Sequence, residues 1–175
     1  MADQPTASEL LGHHFKYEID MLVGTLLAMG RSTDIVLENA LKESFCLHAR
    51  ALLEFFDKSR GSRKYAKAGY EPFEKIENKE VASLQRLLNN QIAHLLDGRT
   101  AEDLRKISDK ERLRIIDILR EEIANFKAAL LAEFSSLQIP DIPLMVHVGG
   151  PAGPTNAIGV IKTGQTGPVG PARGT

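Results

Sequence analysis

The stretch Asp109 to Leu137, DKERLRIIDILREEIANFKAALLAEFSSL, decides the fold. Its apolar residues Leu113, Ile116, Leu119, Ile123, Phe126, Leu130, Phe134 and Leu137 recur three or four apart, so they line one face of a helix over roughly seven turns. Ser108 or Asp109 supplies the side-chain oxygen that suits its start. A helix with one apolar stripe must bury that stripe against other elements, and the rest of the chain supplies them.

Working outward, Leu11, Phe15, Ile19, Leu22 and Leu26 paint one stripe on a helix from about Ser8 to Met29, which Gly30 ends. Ser32, Thr33 and Asp34 all suit an N-cap, and a second helix follows to about Asp57 with Leu37, Leu41, Phe45, Leu52 and Phe56 in phase. The short turn between them predicts an antiparallel hairpin. Val36, Ala40, Leu47, Ala51 and Phe55 widen the apolar surface of the second helix, which places it centrally or at a dimer seam. His48 falls on its apolar side as a hydrogen-bonded core histidine, and Arg50 has Glu54 one turn on as an ion-pair partner. Asn78 is expected to cap a third helix that runs to about Asp97, buries Val81, Leu84, Leu88, Ile92 and Leu95, and stops at Gly98. The expected architecture is all-α, an antiparallel four-helix bundle over residues 1–137 with a Gly/Pro-rich arm over 138–175.

Two segments break the helical pattern. Residues Lys58 to Asn78 hold two glycines and a proline, with five basic side chains between Lys58 and Lys67. They read as a long, solvated connection in which Tyr65 and Tyr70 offer stacking surfaces for bases as the alternative. The last 38 residues carry six of the eight prolines and eight of the fourteen glycines, so they cannot continue the bundle. They are expected to form an extended arm that packs in part through Ile139 to Val148.

Composition narrows the function classes. With 175 residues and 43% hydrophobic content the chain supports one sizeable core. Its 22 basic and 23 acidic side chains leave a formal net charge of -1, so attraction to nucleic acid would need a local patch. The lone Cys46 supports no intrachain disulfide and no multi-cysteine zinc site. MLVGTLLAMG is too short to span a bilayer, which predicts a cytoplasmic protein without a membrane partner. No Gly-rich phosphate loop, nucleophile elbow or paired Glu-x-x-His motif occurs, and neither metal nor cofactor is expected.

Helix three raises a narrower question, because LLNNQIAHLLDGR, Leu87 to Arg99, sets two asparagines and a histidine in a leucine-rich segment. Asparagine is mildly unfavourable inside a helix. Arg86, Asn90 and His94 are four apart and make a polar line beside the buried stripe. An imidazole that moves a proton beside a guanidinium that offsets phosphate charge suits phosphodiester cleavage. The same line could hydrogen-bond another helix, but the cost of burying such groups points to a polar cleft.

NNQIAHLL resembles the signature helix of HEPN domains (higher eukaryotes and prokaryotes nucleotide-binding), in which an arginine, often followed by asparagine, precedes a histidine by a few residues. The resemblance covers residues 8–137 in architecture and about eight residues in motif. It maps the family's histidine onto His94 and its polar residue onto Asn90, while Asn89 stands at the arginine position. Arg86 is then a displaced substitute, with Arg99 after the helix and Arg50 on helix two as further candidates. The resemblance implies a homodimer that binds RNA and cleaves it without metal, in a toxin or defence system with an antitoxin-like protein partner. In that reading His94, Asn90 and Arg86 are catalytic, and Asn89, Arg99 and Arg50 bind substrate. The alternative it implies is a non-catalytic nucleotide-binding or protein-interaction module.

Overall fold

A computed structural model describes residues 5–57, 61–74, 76–92, 107–148 and 157–160 of the chain. Helix α1 (Ala7–Glu9) passes through a π-helical stretch, Leu10–Phe15, into α2 (Lys16–Met29), and α3 (Ile35–Phe56), α4 (Asn78–Ile92) and α5 (Asp109–Ala129) follow. The described residues are mostly helical, as expected. Within them α2 to α5 are the long helices; a 3-10 turn at Ser62–Tyr65 lies between α3 and α4, and a second at Ala132–Phe134 and a short antiparallel pair, β1 (Met145–Val148) and β2 (Ala157–Val160), follow α5. No helix among the described residues is long and apolar enough to cross a membrane.

Side-chain caps explain where the helices begin. Thr6 and Glu9 form a reciprocal capping box at α1, and Ser108 and Glu111 do the same at α5. Asp34 caps α3 by accepting from the amides of Val36 and Leu37 at 2.8 and 2.9 Å. Each such cap contributes about 1 kcal/mol. At α4 the carbonyl of Glu77 accepts from the amides of Glu80 and Val81, so Asn78 is the first helical residue rather than the cap.

Helices α2 and α3 form the expected antiparallel hairpin. The start of α2 meets the end of α3, where the Phe15 and Phe55 rings lie 4.6 Å apart, and Glu18 bonds His48 further along. Phe126 of α5 closes this cluster with ring centroids 5.5 Å from Phe55 and 5.6 Å from Phe56. These aromatic pairs add roughly 0.5–1.5 kcal/mol each beyond the area they bury. Helix α3 touches α2, α4 and α5 and is therefore the central element.

Two expectations change. Helix α5 stops at Ala129 instead of running to Leu137, because the Lys67 amide donates to the Ala129 carbonyl at 2.7 Å and the Leu131 amide to Tyr65 at 2.9 Å. Leu130 thereby bridges Ala66 in extended conformation. Leu130 and Phe134 are buried all the same, and Leu137 packs over Gly12, so the apolar period outlasts the helix. The described part of the connection before α4 is packed on one side: Ser62, Ala66 and Phe73 are buried, and Tyr65 stacks on Phe55 at 6.3 Å while Tyr70 rests on Phe126, whereas Arg63, Lys64 and Lys67 are exposed as expected. Both tyrosines are partly buried against the core. In the C-terminal segment Ile139 and Ile142 are buried, as expected of the part that packs, and β1 and β2 add an antiparallel pairing to the extended arm.

Candidate functional site

Helix α4 carries most of the candidate residues, and its two sides differ sharply. Val81, Leu84 and Leu88 recur at helical spacing and are buried, whereas Lys79, Ser83, Arg86 and Asn90 follow the same spacing on the exposed side. Glu80 pins the helix to α5 through a two-pronged bond from Arg114, with Nε at 2.6 Å and Nη2 at 2.9 Å. Those bonds hold the Glu80 carboxyl below the usual carboxylate range.

Arg86, Asn89 and Asn90 are all exposed and share one arc of α4, and none of their side chains bonds another described residue. Two asparagines are tolerated here because both side-chain amides face solvent. His94 and Arg99 lie outside the described residues. Arg50 stands on α3, half-buried, and its Nε donates to Glu54 Oε1 at 2.8 Å. The structure therefore brings together Arg86, Asn89 and Asn90, while the guanidinium of Arg50 is already engaged.

Beside this row a cavity of about 150 Å³ opens between the end of α3 and the first turns of α4, lined by Asp57, Phe73, Asn78, Val81, Ala82 and Gln85. Asn78, Ala82 and Gln85 sit four and three apart, and Asn89 continues their line one turn on. Phe73 takes a left-handed backbone conformation, φ 55°, which is costly for a bulky residue. Its amide donates to Glu122 Oε2 at 2.8 Å, and its ring meets Phe56 edge-on at 5.9 Å. The second cavity, about 300 Å³, is lined by Gly69, Tyr70, Glu71, Glu74 and Asn125 among others. Its two carboxylates make it unsuited to a phosphate.

The clamp behind Phe73 was missed in the sequence. Glu122, only 2% exposed, accepts from the Phe73 amide and from the Tyr70 hydroxyl. Burial pushes its carboxyl above the usual range against those two bonds, and burial also drives the Tyr70 phenol upward. The wholly buried Ser62 hydroxyl faces the same phenol without completing a hydrogen bond of ordinary geometry. The available signal was position: Glu122 lies three residues after Leu119 and four before Phe126, in phase with the core stripe of α5. On the other flank His48, 5% exposed, bonds Glu18 at 2.7 Å through Nδ1, as a core histidine does.

Burial raises the Cys46 thiol to about 11, which leaves it protonated and unreactive near neutral pH. No group of three His, Cys, Asp or Glu side chains able to hold a metal occurs among the described residues. The chain matches no protein-family model, no curated protein and no solved structure.

Proposed function

We propose that this chain is a HEPN-like antiparallel four-helix bundle that binds single-stranded RNA on the exposed side of α4. The observation that carries this reading is the row of Arg86, Asn89 and Asn90, three solvent-facing side chains free of bonds to other described residues. A guanidinium with no carboxylate partner is a ready phosphate ligand, and carboxamides serve base and sugar edges alike. His94, four residues after Asn90 in the sequence, supplies the proton-transferring group, and Arg99 follows it in the sequence as a second phosphate ligand. The ribose 2′-hydroxyl is the nucleophile in this scheme, so no metal takes part.

A second copy of the chain completes the unit by docking on the exposed side of α3, where Ile35, Val36, Leu37 and, further along, Leu47 are exposed. We place the protein in the cytoplasm, with an antitoxin-like protein as a further partner of the dimer. The non-catalytic reading is favoured by two observations: Asn89 stands where the resembling family carries arginine, and Arg50 is engaged by Glu54. Incubation with labelled single-stranded RNA separates the two. Cleavage that leaves a 2′,3′-cyclic phosphate, ignores chelators and is lost in His94→Ala supports the catalytic form. RNA that is bound but uncut supports the binding module, and absence of binding contradicts both.

A further inference from the structure

We infer that the cavity between Asp57, Phe73 and the first turns of α4 receives one unpaired base of the strand whose phosphate meets Arg86, an inference that rests on the RNA-binding reading above. The cavity holds about 150 Å³, whereas sites for whole drug-sized ligands hold roughly 300–1,000 Å³. It suits a single ring system with the rest of the ligand outside. Its walls divide by chemistry: Phe73, Val81 and Ala82 offer apolar contact to ring faces, and Asn78 and Gln85 offer carboxamides. Each carboxamide carries donors and an acceptor, the complement that a base edge requires.

The floor is rigid. Phe73 is held by the Glu122 bond to its amide and by Phe56 against its ring, so binding has little ordering entropy to overcome there. Charge sets the direction of the strand. Lys79 and Arg86 attract phosphate along the exposed side of α4, so the base points inward and its backbone runs outside. Asn89 extends the carboxamide line from Gln85 toward the neighbouring nucleotide.

The test compares a fluorescein-labelled single-stranded RNA with an abasic ribose-phosphate strand of equal length by anisotropy. Ala82→Leu, which fills the cavity from an exposed helical position, and Gln85→Ala should each weaken RNA binding by about tenfold, the loss expected for one base contact, and leave the abasic strand unaffected. Arg86→Ala should weaken both strands. If Ala82→Leu loses its helical circular dichroism, Gln85→Ala decides alone. Equal binding of both strands by the wild type, with neither cavity variant altered, overturns the base site and leaves phosphate binding intact. Binding of neither strand overturns the RNA reading itself, and the base site with it.

Discussion

Tyr70 donates its hydroxyl to Glu122 across a sequence separation of 52 residues, and the other oxygen of that carboxylate takes the Phe73 amide. One acidic side chain in the middle of α5 thus fixes the segment that walls both cavities. The chain gains by this a defined left-handed turn at Phe73 that local sequence alone would not hold.

Removing the phenol should therefore be costly. Tyr70→Phe leaves a buried carboxylate oxygen short of a donor, a loss of about 1–3 kcal/mol. Thermal melting should show a drop of roughly 2–4 °C for each of those kcal/mol in a chain this size. An unchanged melting temperature would mean that Glu122 finds another donor.

The same carboxylate gives stability a pH dependence. Burial raises Glu122, so the folded chain retains a proton that the unfolded chain has released. Its contribution is complete below the ordinary carboxylate value and is lost as pH rises through the raised one. Melting curves across that window should fall for the wild type and flatten for Glu122→Gln, which also loses one acceptor. Parallel profiles for the two proteins would contradict the assignment.

Phe126 joins α2, α3 and the loop before α4 through contacts with Phe15, Phe55, Phe56 and Tyr70. Phe126→Ala should cost about 3–5 kcal/mol in urea unfolding, the range for a large buried aromatic. A loss below about 1 kcal/mol would show that the cluster repacks.

The first half of α3 carries no buried residue before Phe45, and Val36 is 75% exposed. If a second copy covers this face, light scattering should give a dimer mass that Val36→Asp with Leu47→Glu reduces to a monomer. A wild-type monomer at micromolar concentration would remove the docking role from α3.

Much of this was legible in the residues. The apolar periods located α2 to α5, Ser32, Thr33 and Asp34 together marked where α3 starts, with Asp34 the one that caps it, and His48 read correctly as a bonded core histidine because it lies in the apolar phase of its helix. The end of α5 was not legible, since what stops the helix is the Lys67 amide and the Tyr65 carbonyl, 60-odd residues away and without periodicity of their own. The packed side of the loop escaped for a related reason: basic residues between Lys58 and Lys67 suggested solvent, whereas Tyr65, Tyr70 and Phe73 settle its position against the core. Asn89 and Asn90 stood out because polar residues inside a leucine-rich helix attract notice, yet sequence could not say whether they faced a cleft or water. The cavity beside them depends on Asp57 and Phe73, which come from separate segments.

Salt-dependent binding tests the central claim, that α4 meets RNA phosphate through Arg86, most directly. Affinity for a single-stranded RNA should fall as salt rises, and Arg86→Ala should bind more weakly with a logarithmic salt slope shallower by about 0.7, the change for one phosphate contact on a single strand. An Arg86→Ala protein with wild-type affinity and wild-type slope would contradict the claim.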